Sequence, residues 1–249
     1  MNNNSIIIQA RTGSTRLLNK MIKTFFDGKS LLEIIITRLK KVGVPIIVAT
    51  TTNENDDTVE SIALSQHVSV FRGDENNVLS RFIEAAEEYN VSKIIRVCAD
   101  NPLLDIAALI NLKNDFVNSS VDYWCYSTEN KTPTIKTHYG FWAEGVTLEA
   151  LKKVQSLTSE KLYQEHVTNF IYTHSNLFSI HFESIHPEVE KNHIRLTIDT
   201  QQDFELISKI YSDLISKNIE LNALAISNFI STNTEWLEIM KKEIVKNSK

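Results

Sequence analysis

The strongest constraint on the fold is an alternation of short β-rich runs with longer helical patterns in the first part of the chain. Strands are predicted at 5–9, 44–50, 68–71 and 93–98, with helices at 30–41, 56–66 and 74–89 between them. Ser30 and Glu33 form a capping-box signature at the start of the first helix, and Asp74 is the expected N-cap of the third. This alternation predicts an α/β fold with a Rossmann-like, mostly parallel sheet and helices on both faces.

The second half of the chain is less regular. Strands are predicted at 121–126, 138–143, 177–183 and 194–198, helices at 159–174 and 203–214, and a helical, mostly surface-exposed tail at 222–249. The sequence contains no internal repeat and no linker rich in glycine or proline. We therefore expect residues 1–249 to form a single domain, with 121–174 contributing a small extension.

Charge and cysteine content narrow the choice of partners. The formal net charge is -5 at pH 7, so the chain has no overall attraction to nucleic acid or to an anionic membrane. Its 2 cysteines are too few for a four-ligand zinc site. No apolar stretch reaches the roughly 20 residues needed to span a bilayer. We expect a cytoplasmic protein whose phosphate-bearing ligands are held by a local cluster of cations.

One such cluster follows the first predicted strand directly, in the loop QARTGSTRLLNK at 9–20. Backbone N–H groups and hydroxyls of this loop could wrap a polyphosphate, while Arg11, Arg16 and Lys20 neutralise its charge. The spacing of a Walker A motif is absent. Taken alone, a basic loop is usually a solvated surface, so this cluster by itself is weak support for a phosphate site.

Two aspartates, Asp100 and Asp199, each follow a short apolar strand. Ligands of doubly wound sheets bind beyond the carboxyl ends of the strands, where a carboxylate can hold Mg²⁺ against a triphosphate. Helix capping is the alternative interpretation. It is strongest for the nearby Asp105 and weaker for Asp100, and for Asp199 the two interpretations have equal weight. Two such aspartates together with a cationic loop favour metal-assisted transfer of a phosphate-bearing group.

Four segments in this order resemble a known family: IIQARTGSTRL at 7–17, FRGDENNVL at 71–79, DNPLLD at 100–105 and RLTIDT at 195–200. Together they resemble the spore-coat polysaccharide protein F group of cytidylyltransferases, which is related to the CMP-sialic acid and CMP-Kdo synthetases. The similarity spans roughly 6–206, and four ordered motifs are far more specific than one. The resemblance implies the nucleotide-diphospho-sugar transferase type of fold with a small dimerisation extension.

The resemblance also implies an activity: transfer of CMP from CTP, with Mg²⁺ or Mn²⁺, and release of pyrophosphate. By position, Arg11, Lys20 and Asp100 would be catalytic, and Asp100 and Asp199 would bind the metal. The implied nucleotide site consists of Ala10, Arg11, Gly13, Ser14, Arg16, Lys20, Thr50, Arg72 and Asp100.

On the acceptor side, the resemblance implies contacts from Trp142, Glu144 and His166. The family usually has an aspartate where Trp142 stands. His166 is a candidate general base on chemical grounds, and a helix histidine satisfied by a neighbour is the alternative. The acceptor would be a small molecule: an acidic sugar, a sugar phosphate or a phosphorylated polyol used for surface glycans.

Six aromatic residues within 121–144 predict an exposed patch, and hence a homodimer formed by this segment. Two other functions stay open. A metal-dependent glycosyltransferase would share the sheet, but it would normally show an Asp-x-Asp pair at a strand end. A non-catalytic nucleotide-binding subunit is disfavoured because the cationic loop and both aspartates are present.

Overall fold

The computed structural model describes residues 3–14 and 16–247. In these residues it has nine strands: β1 (Asn4–Gln9), β2 (Thr24–Phe26), β3 (Lys29–Ser30), β4 (Ile46–Thr51), β5 (Ser69–Gly73), β6 (Lys93–Cys98), β7 (Tyr123–Ser127), β8 (Glu144–Thr147) and β9 (Ile180–Ser184). Strands β2 and β3 form a small antiparallel hairpin. The other seven form one sheet in the order β5-β4-β1-β6-β8-β7-β9.

The α-helices of the described residues are α1 (Leu31–Leu39), α2 (Asp57–Ser65), α3 (Val78–Glu88), α4 (Ile106–Asn118), α5 (Leu148–Leu157), α6 (Lys161–Glu165), α7 (Asn169–Thr173), α8 (Pro187–Lys191), α9 (Gln201–Ser216), α10 (Ala223–Ser231) and α11 (Thr234–Lys246). Short 3-10 turns lie at Lys20–Ile22, Lys40–Val42, Glu54–Asp56, Thr134–Lys136 and Ser175–Leu177. Within the same residues, every helix is too short or too polar to cross a bilayer.

The sheet is mostly parallel, as predicted. Strand β1 lies between β4 and β6 and pairs in parallel with both, and β7 pairs in parallel with β9. Strand β8 is inserted antiparallel between β6 and β7. The carboxyl ends of β1, β4 and β6 therefore meet at one edge of the sheet, where their loops can share a ligand.

Helices cover both faces of the sheet, which confirms the predicted layering. Along β1, Ile6 and Ile8 belong to one apolar layer and Ile7 to the other. The first layer includes side chains of α1, α4 and α9, and the second includes side chains of α3, α5 and α7. Burial on both faces explains why β1 is a continuous apolar run rather than an alternating one.

Two helix starts test the sequence predictions. The capping box is confirmed: Ser30 Oγ accepts from Glu33 N (3.3 Å), and the Glu33 carboxylate accepts from Ser30 N (2.7 Å). The N-cap predicted for the third helix is wrong. Asn77 caps α3 through Ser80 N, whereas Asp74 accepts from two backbone N–H groups in the turn before it.

The predicted strands at 138–143 and 194–198 are not part of the sheet. Both segments are mostly buried, and Leu196 N donates to His138 O (2.8 Å). The apolar pattern of these two segments therefore indicates that they are buried, and it does not show that they pair with a strand of the sheet. The predicted helix at 159–174 is two short helices, α6 and α7, separated at 166–168.

The tail was predicted to be mostly on the surface, and this is wrong for its inner face. Ile226 and Ile230 of α10 are buried, as are Trp236 and Met240 of α11. A helical period of apolar residues places one face of each helix against the core.

The aromatic residues of 121–144 mostly pack inside the chain. Tyr123, Trp124, Tyr126, Tyr139 and Phe141 are buried, and only Trp142 is partly exposed. The six aromatics do not form the exposed patch that was predicted from their number. Strands β7 and β8 of this segment belong to the main sheet. The homodimer stays a prediction.

Candidate active site

The loop after β1 is fastened to the loop after β4 through one buried carboxylate. Asp56, 2% exposed, accepts hydrogen bonds from Thr12 N (2.7 Å), Thr12 Oγ1 (2.7 Å) and Thr51 Oγ1. Burial by itself would raise the pKa of Asp56, but these hydrogen bonds outweigh it and hold the pKa below its ordinary value. Asp56 thus fixes the start of the cationic loop. The sequence pattern predicts Asp56 only as the first residue of a helix.

Arg11 lies at the rim of this loop and beside a second arginine. Its Nη1 donates to Glu75 O (3.3 Å) and lies 3.8 Å from Glu75 Oε1. Arg81 on α3 is fully buried, and only its Nη1 has a hydrogen-bond partner, Asp74 O (2.7 Å). Burial, and then the charge of Arg11, lower the pKa of Arg81 to about 10. The carboxylates of Asp56, Asp74 and Glu75 also act on Arg81, so the two cations share this side of the loop with acidic side chains.

Sequence analysis did not identify Arg81. The available signal was an arginine on the apolar side of an amphipathic helix, since Val78, Phe82 and Ala85 of the same helix are buried.

Arg16 and Arg195 donate hydrogen bonds to different oxygens of the Asp199 carboxylate. Arg16 Nη2 donates to Asp199 Oδ1 (2.7 Å), and the buried Arg195 donates from Nη2 to Asp199 Oδ2 (3.0 Å). Arg16 also donates to Asn247 Oδ1 (3.1 Å) beyond α11. Arg195 is further paired with Asp203 (2.7 Å). We call the arrangement of Arg16, Asp199 and Arg195 the Asp199 clasp.

Lys20 joins the segment that follows β6, which contains Asp100, to the segment that precedes Asp199. Its Nζ donates to Ile198 O (2.8 Å) and lies 3.7 Å from Asp100 Oδ2. Ile198 N in turn donates to Asp100 O (2.9 Å), so the segments that precede Asp199 and contain Asp100 run side by side. The structure thus brings Lys20, Asp100 and Asp199 into one region, although they are distant in sequence.

The donor set suits a metal that is shared with a nucleotide. Among the residues described, no group of three or more His, Cys, Asp and Glu side chains could hold a metal ion. Mg²⁺ is usually bound by one or two carboxylates together with substrate phosphates and water. Asp100 and Asp199 match that pattern in type and position, although each oxygen of Asp199 already accepts a hydrogen bond from an arginine. Their role as metal ligands stays a prediction.

The remaining nucleotide-site predictions lie around the same loops. Ala10 N donates to Ala49 O (3.3 Å), Gly13 is exposed, and Ser14 Oγ accepts from Leu17 N (3.4 Å). Thr50 is buried, and its hydroxyl has no hydrogen-bond partner. These positions are close to the loop, and their contact with a nucleotide stays a prediction.

Arg72 braces the loop after β4. It donates to Thr51 O (2.9 Å) and Asn53 O (2.8 Å) and forms ion pairs with Asp57 and Glu60, each at 2.7 Å. The hydrogen bond to Asp57 is the main cause that raises the pKa of Arg72. Its guanidinium is therefore committed to the protein, and a contact with the nucleoside stays a prediction.

Trp142 and Asp100 line one small cavity of about 50 Å³, together with Cys98, Asn101, Thr134 and Thr197. We call it the Trp142 cavity. Gly140 is at its edge with φ +69°, and a Cβ there would lie 2.8 Å from the backbone of Leu196. The backbone of this edge therefore requires glycine.

The other two acceptor-side residues lie elsewhere. Glu144 is 2% exposed and accepts from Arg96, Tyr123 and Thr168, so its carboxylate ties β8 to β6, β7 and the α6–α7 segment. His166 is exposed at the end of α6. The residues that line the Trp142 cavity include neither, and both acceptor contacts stay predictions.

Comparison with known proteins decides the family. A family model described as cytidylyltransferase matches residues 5–230, most of the chain. The chain belongs to the cytidylyltransferase family. Spore coat polysaccharide biosynthesis protein SpsF of Bacillus subtilis is 33% identical to this cytidylyltransferase over 220 residues, covering 85% of this chain and 87% of SpsF. The resemblance inferred from four motifs is confirmed.

Two solved structures agree with this cytidylyltransferase in fold. A cytidylyltransferase from Leptospira borgpetersenii serovar Hardjo-bovis has a TM-score of 0.77 and 28% identity, with 96% of each chain covered. A CMP:2-keto-3-deoxy-manno-octonic acid synthetase complexed with CTP has a TM-score of 0.66 and 13% identity, covering 84% of this chain and 98% of that one. The second likeness shows the shared fold alone.

Proposed function

We propose that this cytidylyltransferase transfers CMP from CTP to an acidic sugar, a sugar phosphate or a phosphorylated polyol, in the synthesis of a surface polysaccharide. The observation that carries the proposal is Lys20, whose Nζ lies 2.8 Å from Ile198 O and 3.7 Å from Asp100 Oδ2. It joins the cationic loop to the segments that carry Asp100 and Asp199. The relationship to SpsF supports the polysaccharide pathway, and the family supports CTP.

In the proposed reaction, an oxygen of the acceptor attacks the α-phosphorus of CTP. A new P–O bond forms, the bond to the β-phosphate bridging oxygen breaks, and pyrophosphate leaves with that electron pair. A hydroxyl acceptor also loses its proton, whereas an ionised phosphate acceptor has none to lose. Lys20 and Arg11 stabilise the charge that builds on the phosphates, because preorganised cations cost little reorganisation during the reaction.

Asp100 and Asp199 would hold the proposed metal. Bound Mg²⁺ or Mn²⁺ would supply positive charge to the phosphate oxygens and orient them. The two aspartates are suited to this because their backbone segments are hydrogen-bonded to each other through Ile198 N and Asp100 O (2.9 Å).

A pyrophosphate-release assay tests the function. The wild-type protein is given CTP, UTP, ATP or GTP, with Mg²⁺, Mn²⁺ or a chelator, and a panel of sugar acids, sugar phosphates and polyol phosphates. We expect release with CTP and a divalent metal, and a product whose mass equals acceptor plus CMP. Turnover of ATP or GTP at least equal to that of CTP across the panel would contradict the proposal.

We further propose that residues 1–249 form a single domain and that the protein is cytoplasmic. We also propose that it is a homodimer in which the segment 121–174 contributes the contact between the subunits. Leu157 and Leu162 of this segment are exposed, and so is Leu177, whose carbonyl accepts from Lys153 of α5 (2.5 Å). These leucines would contribute apolar surface to such a contact. Leu162→Glu should shift light scattering towards the monomer, whereas Leu64→Glu, an exposed leucine on α2, should not. A wild-type monomer at high micromolar concentration would contradict the homodimer.

A further inference from the structure

The helix α11 lies along the Asp199 clasp. Met240 Sδ accepts a hydrogen bond from Arg195 N (3.5 Å). About one turn later the carboxylate of Glu243, a residue that is 3% exposed, accepts from the hydroxyl of Thr200 (3.1 Å), the N-cap residue of α9. Both contacts are made from the buried face of α11, so the helix is fixed against the clasp.

The end of the same helix reaches Arg16, the exposed member of the clasp. Asn247 Oδ1 accepts from Arg16 Nη1 (3.1 Å), while Arg16 Nη2 donates to Asp199 Oδ1 (2.7 Å). The two nitrogens of one guanidinium therefore have different partners, one neutral and one charged. The side chain of Arg16 is 48% exposed, so a ligand that arrives from solvent can reach it.

The amide of Asn247 is held in one orientation. Its Nδ2 donates to Glu243 O (2.9 Å), a carbonyl oxygen that can only accept, and its Oδ1 faces a guanidinium that can only donate. Turning the amide over would break both hydrogen bonds. Glu243 therefore fixes Asn247 through its backbone and Thr200 through its side chain.

A neutral partner of this kind prepares Arg16 for an anionic ligand. An arginine side chain loses conformational freedom when a ligand immobilises it, and that loss weakens binding. Because Asn247 already holds Nη1, part of the loss has occurred before the ligand arrives. The amide carries no charge, so it leaves the positive charge of Arg16 to attract phosphate oxygens.

We propose that Asn247 is a positioning residue for the phosphates of the nucleotide. It holds Arg16 Nη1 while Nη2 turns from Asp199 to a phosphate oxygen of CTP, and Glu243 keeps Asn247 in place. The proposal rests on the proposed function, because it assigns Arg16 to the phosphates of CTP. It extends the site to α11, which lies beyond residue 230, where the family match ends.

Calorimetric titration of the full-length protein with CTP and Mg²⁺ tests the proposal without an acceptor. Asn247→Ala removes the amide and should weaken CTP binding about threefold, the effect of one modest hydrogen bond. Asn118→Ala is the matched control, because Asn118 at the end of α4 donates from Nδ2 to the carbonyl four residues earlier, Asn114 O (2.8 Å), as Asn247 does in α11. The control should bind CTP like the wild type.

A double-mutant cycle separates the positioning of Arg16 from a general loosening of α11. Arg16→Ala removes the guanidinium, so adding Asn247→Ala to it should cause no further loss of CTP affinity. A loss that came from loosening of the helix would instead persist in the Arg16→Ala background. Circular dichroism confirms that each variant is folded.

The proposal is overturned if Asn247→Ala binds CTP like the wild type, or if its effect is the same with and without Arg16. Inorganic tripolyphosphate, titrated into the same four proteins of the cycle, keeps the two proposals apart. A wild type that binds tripolyphosphate but not CTP would count against cytidylyl transfer, and the tripolyphosphate cycle would still decide the role of Asn247. A wild type that binds neither would overturn both proposals.

Discussion

Asp56 accepts two hydrogen bonds from Thr12, one from its backbone N–H and one from its hydroxyl, each 2.7 Å long. The two residues are 44 positions apart, so this contact fixes the loop that follows β1 against the loop that follows β4. Arg11 and Gly13 are the neighbours of Thr12 in the chain, so their backbone is fixed by the same contact. The geometry of the proposed phosphate site thus depends on a carboxylate that need not touch the phosphates.

Asp56→Asn should reduce turnover more than it weakens nucleotide binding. An amide keeps the size of the carboxylate but offers one acceptor oxygen instead of two, so Thr12 and Thr51 cannot both be satisfied. Misplacing a catalytic loop costs up to about 100-fold in rate. Steady-state kinetics with CTP measures kcat and KM separately. Asp115→Asn, an exposed change on α4, is the control. Equal kcat values for Asp56→Asn and wild type would contradict the positioning role.

The stability that Asp56 provides should disappear in acid. Its pKa is lowered in the folded protein, so its contribution is present above the pKa of the unfolded chain and is lost as pH falls through the folded-state pKa. Urea unfolding should show wild type more stable than Asp56→Asn at neutral pH, with a gap that narrows below about pH 4. A gap that stays constant with pH would mean that the carboxylate charge plays no part.

Lys20→Met should be the most damaging change in the cationic loop. Removing one preorganised donor at a developing charge typically costs about 100- to 1,000-fold in kcat. Lys23→Met is a matched control, because Lys23 Nζ binds only the side chain of Gln201 among its hydrogen bonds (3.1 Å). The comparison uses pyrophosphate release under saturating CTP. A Lys20→Met enzyme with the turnover of Lys23→Met would show that the loop is merely solvated.

Asp100→Asn and Asp199→Asn should separate catalysis from stability. The side chain of Asp100 is 25% exposed and 3.7 Å from Lys20, so its loss should abolish activity with little effect on unfolding. Asp199 is one of two carboxylates on the fully buried Arg195, and because Asp203 stays paired with Arg195 (2.7 Å), Asp199→Asn should destabilise the fold measurably but by less than the roughly 3 kcal/mol lost when a whole buried pair is broken. Thermal unfolding alongside the activity assay distinguishes them. Full activity in either variant would contradict a shared metal site.

Gly140→Ala should destabilise the edge of the Trp142 cavity. Its φ is +69°, and an added Cβ would lie 2.8 Å from the Leu196 carbonyl, so strain and a clash act together. Gly28→Ala has a similar φ of +73° with no atom within 4 Å and reports the strain alone, about 1 kcal/mol. Urea unfolding should show a distinctly larger loss for Gly140→Ala. Equal losses would mean that the loop yields to the added methyl group.

The sequence predicted the first half of the fold because its signals are local. The bounds of β6 match residue for residue, and Asp105 caps α4 through Ala108 N (2.9 Å), as its position suggested. Asp105 also accepts a hydrogen bond from Ala223 N (2.8 Å), 118 positions away in the sequence. Such a distant contact cannot be predicted from a local pattern. Predictions failed where burial imitated a strand, as at 194–198, and where two capping residues competed, as at Asp74 and Asn77.

The residues of the candidate site likewise fall into those that could be predicted from the sequence and those that could not. Lys20 and Asp100 could be found because each follows a recognisable apolar strand, where parallel sheets place their ligands. Arg81 and Asp56 could not, since their importance arises from packing against loops that are remote in sequence. Glu144 was assigned to the acceptor by family position, yet a side chain surrounded by Arg96, Tyr123 and Thr168 holds strands together. Motif position identifies a neighbourhood, while burial decides which atoms a ligand can reach.

If Arg16 binds the phosphates as proposed, the Asp199 clasp would make nucleotide entry an exchange and not a simple addition. Arg16 would leave Asp199 for a group that carries more negative charge than one carboxylate, as a triphosphate does. After transfer to an acidic sugar, the product would retain one singly charged phosphodiester, and Asp199 could recapture its arginine. The carboxylate of Asp199 would then compete with the product for Arg16 and speed its dissociation. Product inhibition would stay weak without a loss of affinity for CTP.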